Sequence, residues 1–334
     1  MSALTLLLVL LAVALLFDFL NGFQDSANVV ATLIASRAMS ARGALMLAAL
    51  ANLVGPFLFG VAVAETIGSG VAHPQAITIA VVLAALVAAS LWDVATWYCG
   101  IPVSSSHALI GGIVGAAATG SGPAVIQVHG LWKVAIALLV SPLLGFVVAL
   151  AIMQATRWLL RNATPRANLT LSRAQVLTGT ALALSHGAND AQKTMGVIAL
   201  GLLTLGFTPT FVVPWWVIVL SASAIALGTA VGGWRIIHTL GSRFYRIRPI
   251  HGFTSQLAAA AVILGASLAG GPVSTTQVVS LTILGAGAAE RKSKVRWSAF
   301  GEIAVAWILT LPATAMLAVP CYYVIESILR RGGW

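Results

Sequence analysis

Apolar stretches of membrane-spanning length recur along this chain, and that recurrence limits its fold more than any motif does. Runs near 3–36, 43–64, 76–98, 103–118, 131–154, 174–206, 214–234, 250–269, 272–288 and 298–323 are dominated by Leu, Val, Ile and Ala. Most approach the roughly 20 residues that cross a hydrocarbon core as helix. None alternates apolar and polar residues as a barrel strand does, so helices must satisfy the backbone in lipid. Of 334 residues, 59% are hydrophobic and only 8% are charged, with a mean hydropathy of +0.99. So few charges cannot cover a water-soluble surface. The expected class is an all-α integral membrane protein.

The net charge of +10 does not point to nucleic acid, because the cations fall in short segments between apolar runs. Arg37 and Arg42, Arg157 to Arg173, Arg235 to Arg248 and Arg291 to Arg296 follow the positive-inside pattern of cytoplasmic loops. This places the N-terminus outside and the chain in the cell's inner (plasma) membrane as a multi-pass protein. Arg330 and Arg331 then fall on the side that the rule disfavours. The two cysteines, Cys99 and Cys321, lie in apolar surroundings and suggest neither a disulfide framework nor a metal-thiolate site. Residues 3–20 lack the basic start and cleavage signal of a leader and read as a retained span.

Two motifs occur twice, in the same order. Asn21-Gly-Phe-Gln-Asp-Ser-Ala-Asn28 aligns with His186-Gly-Ala-Asn-Asp-Ala-Gln-Lys193, and Gly100-Ile-Pro-Val-Ser-Ser-Ser-His107 aligns with Gly270-Gly-Pro-Val-Ser-Thr-Thr-Gln277. The loop charges make the first copy enter from outside and the second from inside. Residues 1–154 and 174–334 are therefore expected to be inverted repeats, joined by a short basic cytoplasmic loop over 155–173. Secondary transporters build midplane sites from such repeats. The glycine-polar clusters inside the long runs 3–36 and 174–206 predict broken helices there. Re-entrant hairpins are expected near 85–118 and 250–288.

The chemistry of the motifs suits an oxyanion. Proline followed by Ser or Thr starts and caps a helix, so Ser104, Ser105 and Ser106, and likewise Ser274, Thr275 and Thr276, mark helix N-termini. Such termini offer free N–H groups, a positive dipole end and hydroxyls together. A bland reading, in which the hydroxyls only cap or pack, suits one copy better than two inverted ones. Asp25 and Asp190 are carboxylates inside spans, where charge is costly and marks a cavity, a partner or an ion. Beside an anion they require a positive species, either a metal cation or a proton. Lys193 stands where the first repeat has Asn28, and its ammonium either pairs with Asp190, faces substrate or snorkels to an interface. Asp18 shares a helical face with Asp25, Asp93 has only Ile263 at its repeat position, and Glu302 is placed to pair with the 291–296 loop. His186 reads as a satisfied interior histidine, and His107 is matched by Gln277.

At these motifs the chain resembles the PiT family of inorganic phosphate transporters, bacterial low-affinity type. Gly187-Ala-Asn-Asp190 is similar to the family element throughout, Gly22-Phe-Gln-Asp25 departs from it at Phe23 and Gln24, and Thr96 to His107 is similar to the first hairpin. The resemblance implies cation-coupled symport of phosphate, alone or as a metal-phosphate complex, with H+ favoured over Na+ by the Gln192-Lys193 ending. It implies a homodimer and no organic cofactor. By motif match it assigns phosphate to Ser104, Ser105, Ser106, Ser274, Thr275 and Thr276, with Lys193 beside them. Coupling goes to Gln24, Asp25, Asn28, Asn189 and Asp190, and Asp25, Asn28, Asn189 and Asp190 are its Na+ ligands. The rival readings are a sulfate permease of the same fold, an anion channel, and an intramembrane hydrolase using the hydroxyls with His107. Gln277 disfavours the last, since a triad needs its base.

Overall fold

The computed structural model describes residues 1–73, 76–242 and 245–333. The first half folds as α1 (Ala3–Ala35), α2 (Ala41–Leu58), α3 (Ala62–Gly70), α4 (Ile79–Cys99), α5 (Ser105–Ser121) and α6 (Val128–Leu159). The second repeats that order as α7 (Ala167–Thr204), α8 (Trp215–Val231), α9 (Trp234–Ser242), α10 (Pro249–Leu268), α11 (Thr275–Arg291) and α12 (Trp297–Arg331). Six of these helices are long and apolar enough to cross a membrane, and α8 with α9 forms a seventh candidate bent by 70°. Large apolar side chains on α6 and α12, among them Leu139, Val147, Ile308 and Met316, are exposed, as a lipid-facing surface requires.

The breaks are not where the glycine-polar clusters suggest. Both α1 and α7 run through their motifs as continuous helices. Gly22 and Gly187 serve close packing instead: a Cβ on Gly22 would strike the backbone of Ile225 in α8, and one on Gly187 would strike the backbone of Asn52 in α2. The interruptions lie after these crossings, at Gly60 between α2 and α3 and at Gly232 between α8 and α9, both glycines at positive φ. The single run expected over 43–64 is thereby divided.

Each half completes the other. Helix α1 packs on α8 as α7 packs on α2, while α6 braces α10 and α11 as α12 braces α4 and α5. Pro142 and Pro312 sit inside α6 and α12, each behind the hairpin its helix supports. One pair departs from this correspondence, since α10 lies along α7 far more extensively than α4 lies along α1.

The hairpins are α4–α5 and α10–α11. Gly100 and Gly270, at φ 69° and 71°, end their first arms in the left-handed region. Ser104 and Ser274 then cap the second arms, accepting from the amides of His107 and Gln277. The far end of the second hairpin is tied down by Glu290, which accepts from the Tyr245 hydroxyl at 2.7 Å and lies 2.7 Å from His251 Nε2, with the Arg248 guanidinium on its other oxygen. Glu290, rather than Glu302, thus meets the basic end of this region; Glu302 is exposed and enters none of the ion pairs among the described residues.

Candidate functional site

Helices α1 and α7 bring their motifs to the two hairpin tips. The tips touch: Ser106 Oγ donates to the Val273 carbonyl at 2.9 Å. Ser104, Ser105, Ser106, Ser274, Thr275 and Thr276 are all buried at this junction. Because α5 begins at Ser105 and α11 at Thr275, two helix N-termini with their unpaired amides converge here.

The second tip engages both aspartates. Thr275 Oγ1 lies 3.0 Å from Asp190 Oδ2 and 3.4 Å from Asp25 Oδ2, so its single proton serves two carboxylates. Thr276 donates to Asp25 Oδ1 at 2.9 Å and accepts from Asn28 Nδ2 at 3.0 Å. At the matched position in the second repeat, Lys193 reaches the other tip, with Nζ 3.4 Å from Ser105 Oγ. The same ammonium lies 2.5 Å from Asp190 Oδ1, and Lys193 has no solvent exposure. It is therefore a buried ion pair at the site and not a lysine snorkelling to an interface.

His186 is the residue that sequence reasoning undervalued. Its Nε2 lies 3.0 Å from Asp190 Oδ2 and 4.0 Å from Asp25 Oδ2, and its Nδ1 lies 3.2 Å from Asn52 Oδ1. Thr229 gives its hydroxyl proton to the Ile225 carbonyl at 2.8 Å, so it accepts from Asn52 Nδ2 at 2.8 Å. Asn52 must then present its oxygen to His186, which places a proton on Nδ1. Nε2 faces two carboxylates, so a proton on Nε2 or a cation among the three groups is needed to avoid repulsion. One ligand atom from each of Asp25, His186 and Asp190 lies within 4.8 Å of the others. The signal available in sequence was His186 four residues before Asp190, hence on the same helix face. Nothing local pointed to Asn52 or Thr229.

Other expected residues sit further from this centre. Asn189 donates to Ser267 Oγ at 2.7 Å and keeps a buried Oδ1 without a hydrogen-bond partner among the described residues. Gln24 donates to Thr96 across α1 and α4 at 3.4 Å. Asp18 is fully buried facing the hydroxyls of Thr194 and Ser221, without a well-formed hydrogen bond to either. Asp93 is buried on α4 with no hydrogen-bond partner for either oxygen among the described residues.

Residues 21–318 match the phosphate transporter family. The chain belongs to that family. It is 44% identical over 328 residues to the probable low-affinity inorganic phosphate transporter of Rhizobium meliloti, covering 98% of both chains. It is 40% identical to the protein of the same name from Bacillus subtilis, covering 97% of this chain and 98% of that one. In fold it is similar to a structure described as the sodium-dependent phosphate transporter, with a TM-score of 0.88, 23% identity, and coverage of 97% of this chain and 100% of that one. Membership sets this chain among transporters rather than enzymes. The matched span runs through both copies of both motifs.

Proposed function

We propose that the chain imports inorganic phosphate by alternating access, coupled to a cation, with phosphate held between the two hairpin tips. The observation that carries this reading is Thr275, which sits at the start of α11 and contacts both Asp25 and Asp190. Phosphate binding and cation binding would then share one hydroxyl, so neither could change without the other. The α5 and α11 N-termini, the Ser105 hydroxyl and the Lys193 ammonium supply donors for a tetrahedral anion, joined by the hydroxyls of Ser106, Thr275 and Thr276 when they turn from the Val273 carbonyl and the aspartates. Ser104 and Ser274 act beneath them as caps.

Charge accounting supports coupling. Around the site, the buried carboxylates of Asp18, Asp25, Asp93 and Asp190 stand against the ammonium of Lys193 and the imidazole of His186. Adding a phosphate deepens that negative excess in a low-dielectric setting, where each unpaired charge costs several kcal/mol. Positive ions must therefore travel with it. Protons are favoured over Na+ because the ammonium already occupies the second repeat's cation position at Asp190, where the first repeat offers the neutral amide of Asn28. Imidazole nitrogen, moreover, is a poor partner for a hard alkali ion.

A second reading concerns the cargo. Two carboxylates and an imidazole within 4.8 Å form a ligand set suited to a divalent metal, which supports import of a metal-phosphate complex. Uptake of ³²P-phosphate into proteoliposomes, with pH and Na+ gradients imposed separately and with chelator or added divalent metal, tests these readings. Proton coupling predicts accumulation driven by an inward proton gradient and indifferent to Na+. Competition by sulfate at similar concentration would favour the permease alternative.

A further inference from the structure

We propose that the cavity beside Asp93 is a binding site for one small monovalent cation, hydronium or Na+, feeding the Asp25 centre. This rests on the reading of the chain as a cation-coupled phosphate carrier and specifies where a further coupling ion is held. The cavity measures about 20 Å³ and is lined by Leu20, Phe23, Gln24, Asp93, Val94 and Trp97, which is room for a single water-sized occupant. Asp93 is 2% exposed, and among the described residues neither of its oxygens has a hydrogen-bond partner. The indole N–H of Trp97 is likewise buried without an acceptor.

A carboxylate in this position needs a positive partner, and among the described residues no basic side chain forms an ion pair with it. Asp25 and Lys193 act on Asp93 through space, while the Arg235 guanidinium stacks over the Trp97 ring, 5.2 Å from its centre. A cation in the cavity would have the Asp93 carboxylate and the Gln24 amide oxygen as hard donors. Gln24 adjoins Asp25 in sequence, which links this position to the central pair.

The repeat symmetry shows that the feature is not generic to the architecture. Asp93 corresponds to Ile263 in the second repeat, and Ile263 is fully buried in an apolar interface. There α10 packs along α7 with far more contact than α4 makes with α1. An apolar residue fills the joint in one repeat, whereas a carboxylate beside a cavity occupies it in the other. A role confined to packing would give no reason for that exchange.

The test measures cations carried per phosphate in proteoliposomes, from the imposed gradient at which net ³²P flux reverses, in separate Na+ and pH series. Asp93→Asn is expected to carry one cation fewer per phosphate than the unaltered protein, and Asp93→Ile, which copies the second repeat, should do the same. The series in which the number falls identifies the ion. An unchanged number in both series overturns the proposal, and so does loss of phosphate binding in parallel with loss of coupling. A second measurement needs no Asp93 variant: the difference in tryptophan emission between the unaltered protein and Trp97→Phe should change saturably with added Na+ or with acid, without phosphate. A flat difference overturns the site. Phosphate counterflow by the unaltered protein tests the carrier reading separately, so the two failures are distinguishable.

Discussion

Lys193 Nζ lies 2.5 Å from Asp190 Oδ1, with both side chains fully buried at the tip of the opposite repeat's hairpin. Removing one partner of such a pair strands a charge in the interior, whereas removing both does not. Lys193→Met should lower stability by about 3 to 5 kcal/mol and abolish uptake. The double variant Lys193→Met with Asp190→Asn should recover most of the stability and none of the uptake. Thermal unfolding in detergent and proteoliposome uptake check the two halves; a single variant as stable as the double would contradict the pairing.

Thr275 is expected to need its hydroxyl, not its methyl. Thr275→Val keeps the shape but removes the proton shared between Asp25 and Asp190, and a lost hydrogen bond to a charged group costs about 1.5 to 3 kcal/mol. Phosphate affinity should fall by roughly ten- to a hundredfold, and Thr275→Ser should restore it. Equal weakening by Ser and Val would assign Thr275 to packing.

Asn52 is expected to act through His186. Asn52→Leu leaves Nδ1 of a buried imidazole without its acceptor, which costs about 1 to 3 kcal/mol, and frees the ring to turn away from Asp190. Transport should drop at least tenfold while helix content by circular dichroism holds. Uptake at the level of the unaltered protein would show that the ring needs no such lock.

Gly22 and Gly187 should respond alike. Alanine at either would meet backbone, of Ile225 or Asn52, and overpacking of this kind costs about 1 to 3 kcal/mol. Comparable losses of melting temperature for Gly22→Ala and Gly187→Ala would support the matched crossings of α1 with α8 and α7 with α2. Tolerance at one position alone would argue against them.

Much of this architecture was legible because lipid restricts the choices. Apolar runs had to be helices, and Pro-Val-Ser followed by hydroxyls in both copies had to start them, so the Ser104 and Ser274 caps and the meeting of the tips could be anticipated. Glycine misled where its role depended on a partner helix. Gly22 and Gly187 suggested breaks because sequence displays their backbone freedom but not the backbone of α8 and α2 pressed against them. The site followed the same division. Asp25, Asp190 and Lys193 announced themselves as charges within spans, whereas His186 gained its place through Asn52 and Thr229, 134 residues from the first and linked to the second only through it. Asp93 was visible as a residue without a repeat counterpart, but the cavity beside it arises from how α4 sits on α1.

Equilibrium binding of ³²P-phosphate to purified protein, compared between Ser105→Ala with Ser106→Ala and Thr275→Val with Thr276→Val, tests the shared site most directly. One anion gripped by both tips predicts that each pair of substitutions weakens binding at least tenfold. Full affinity in either pair would mean that phosphate is held by one hairpin alone, and would contradict the account.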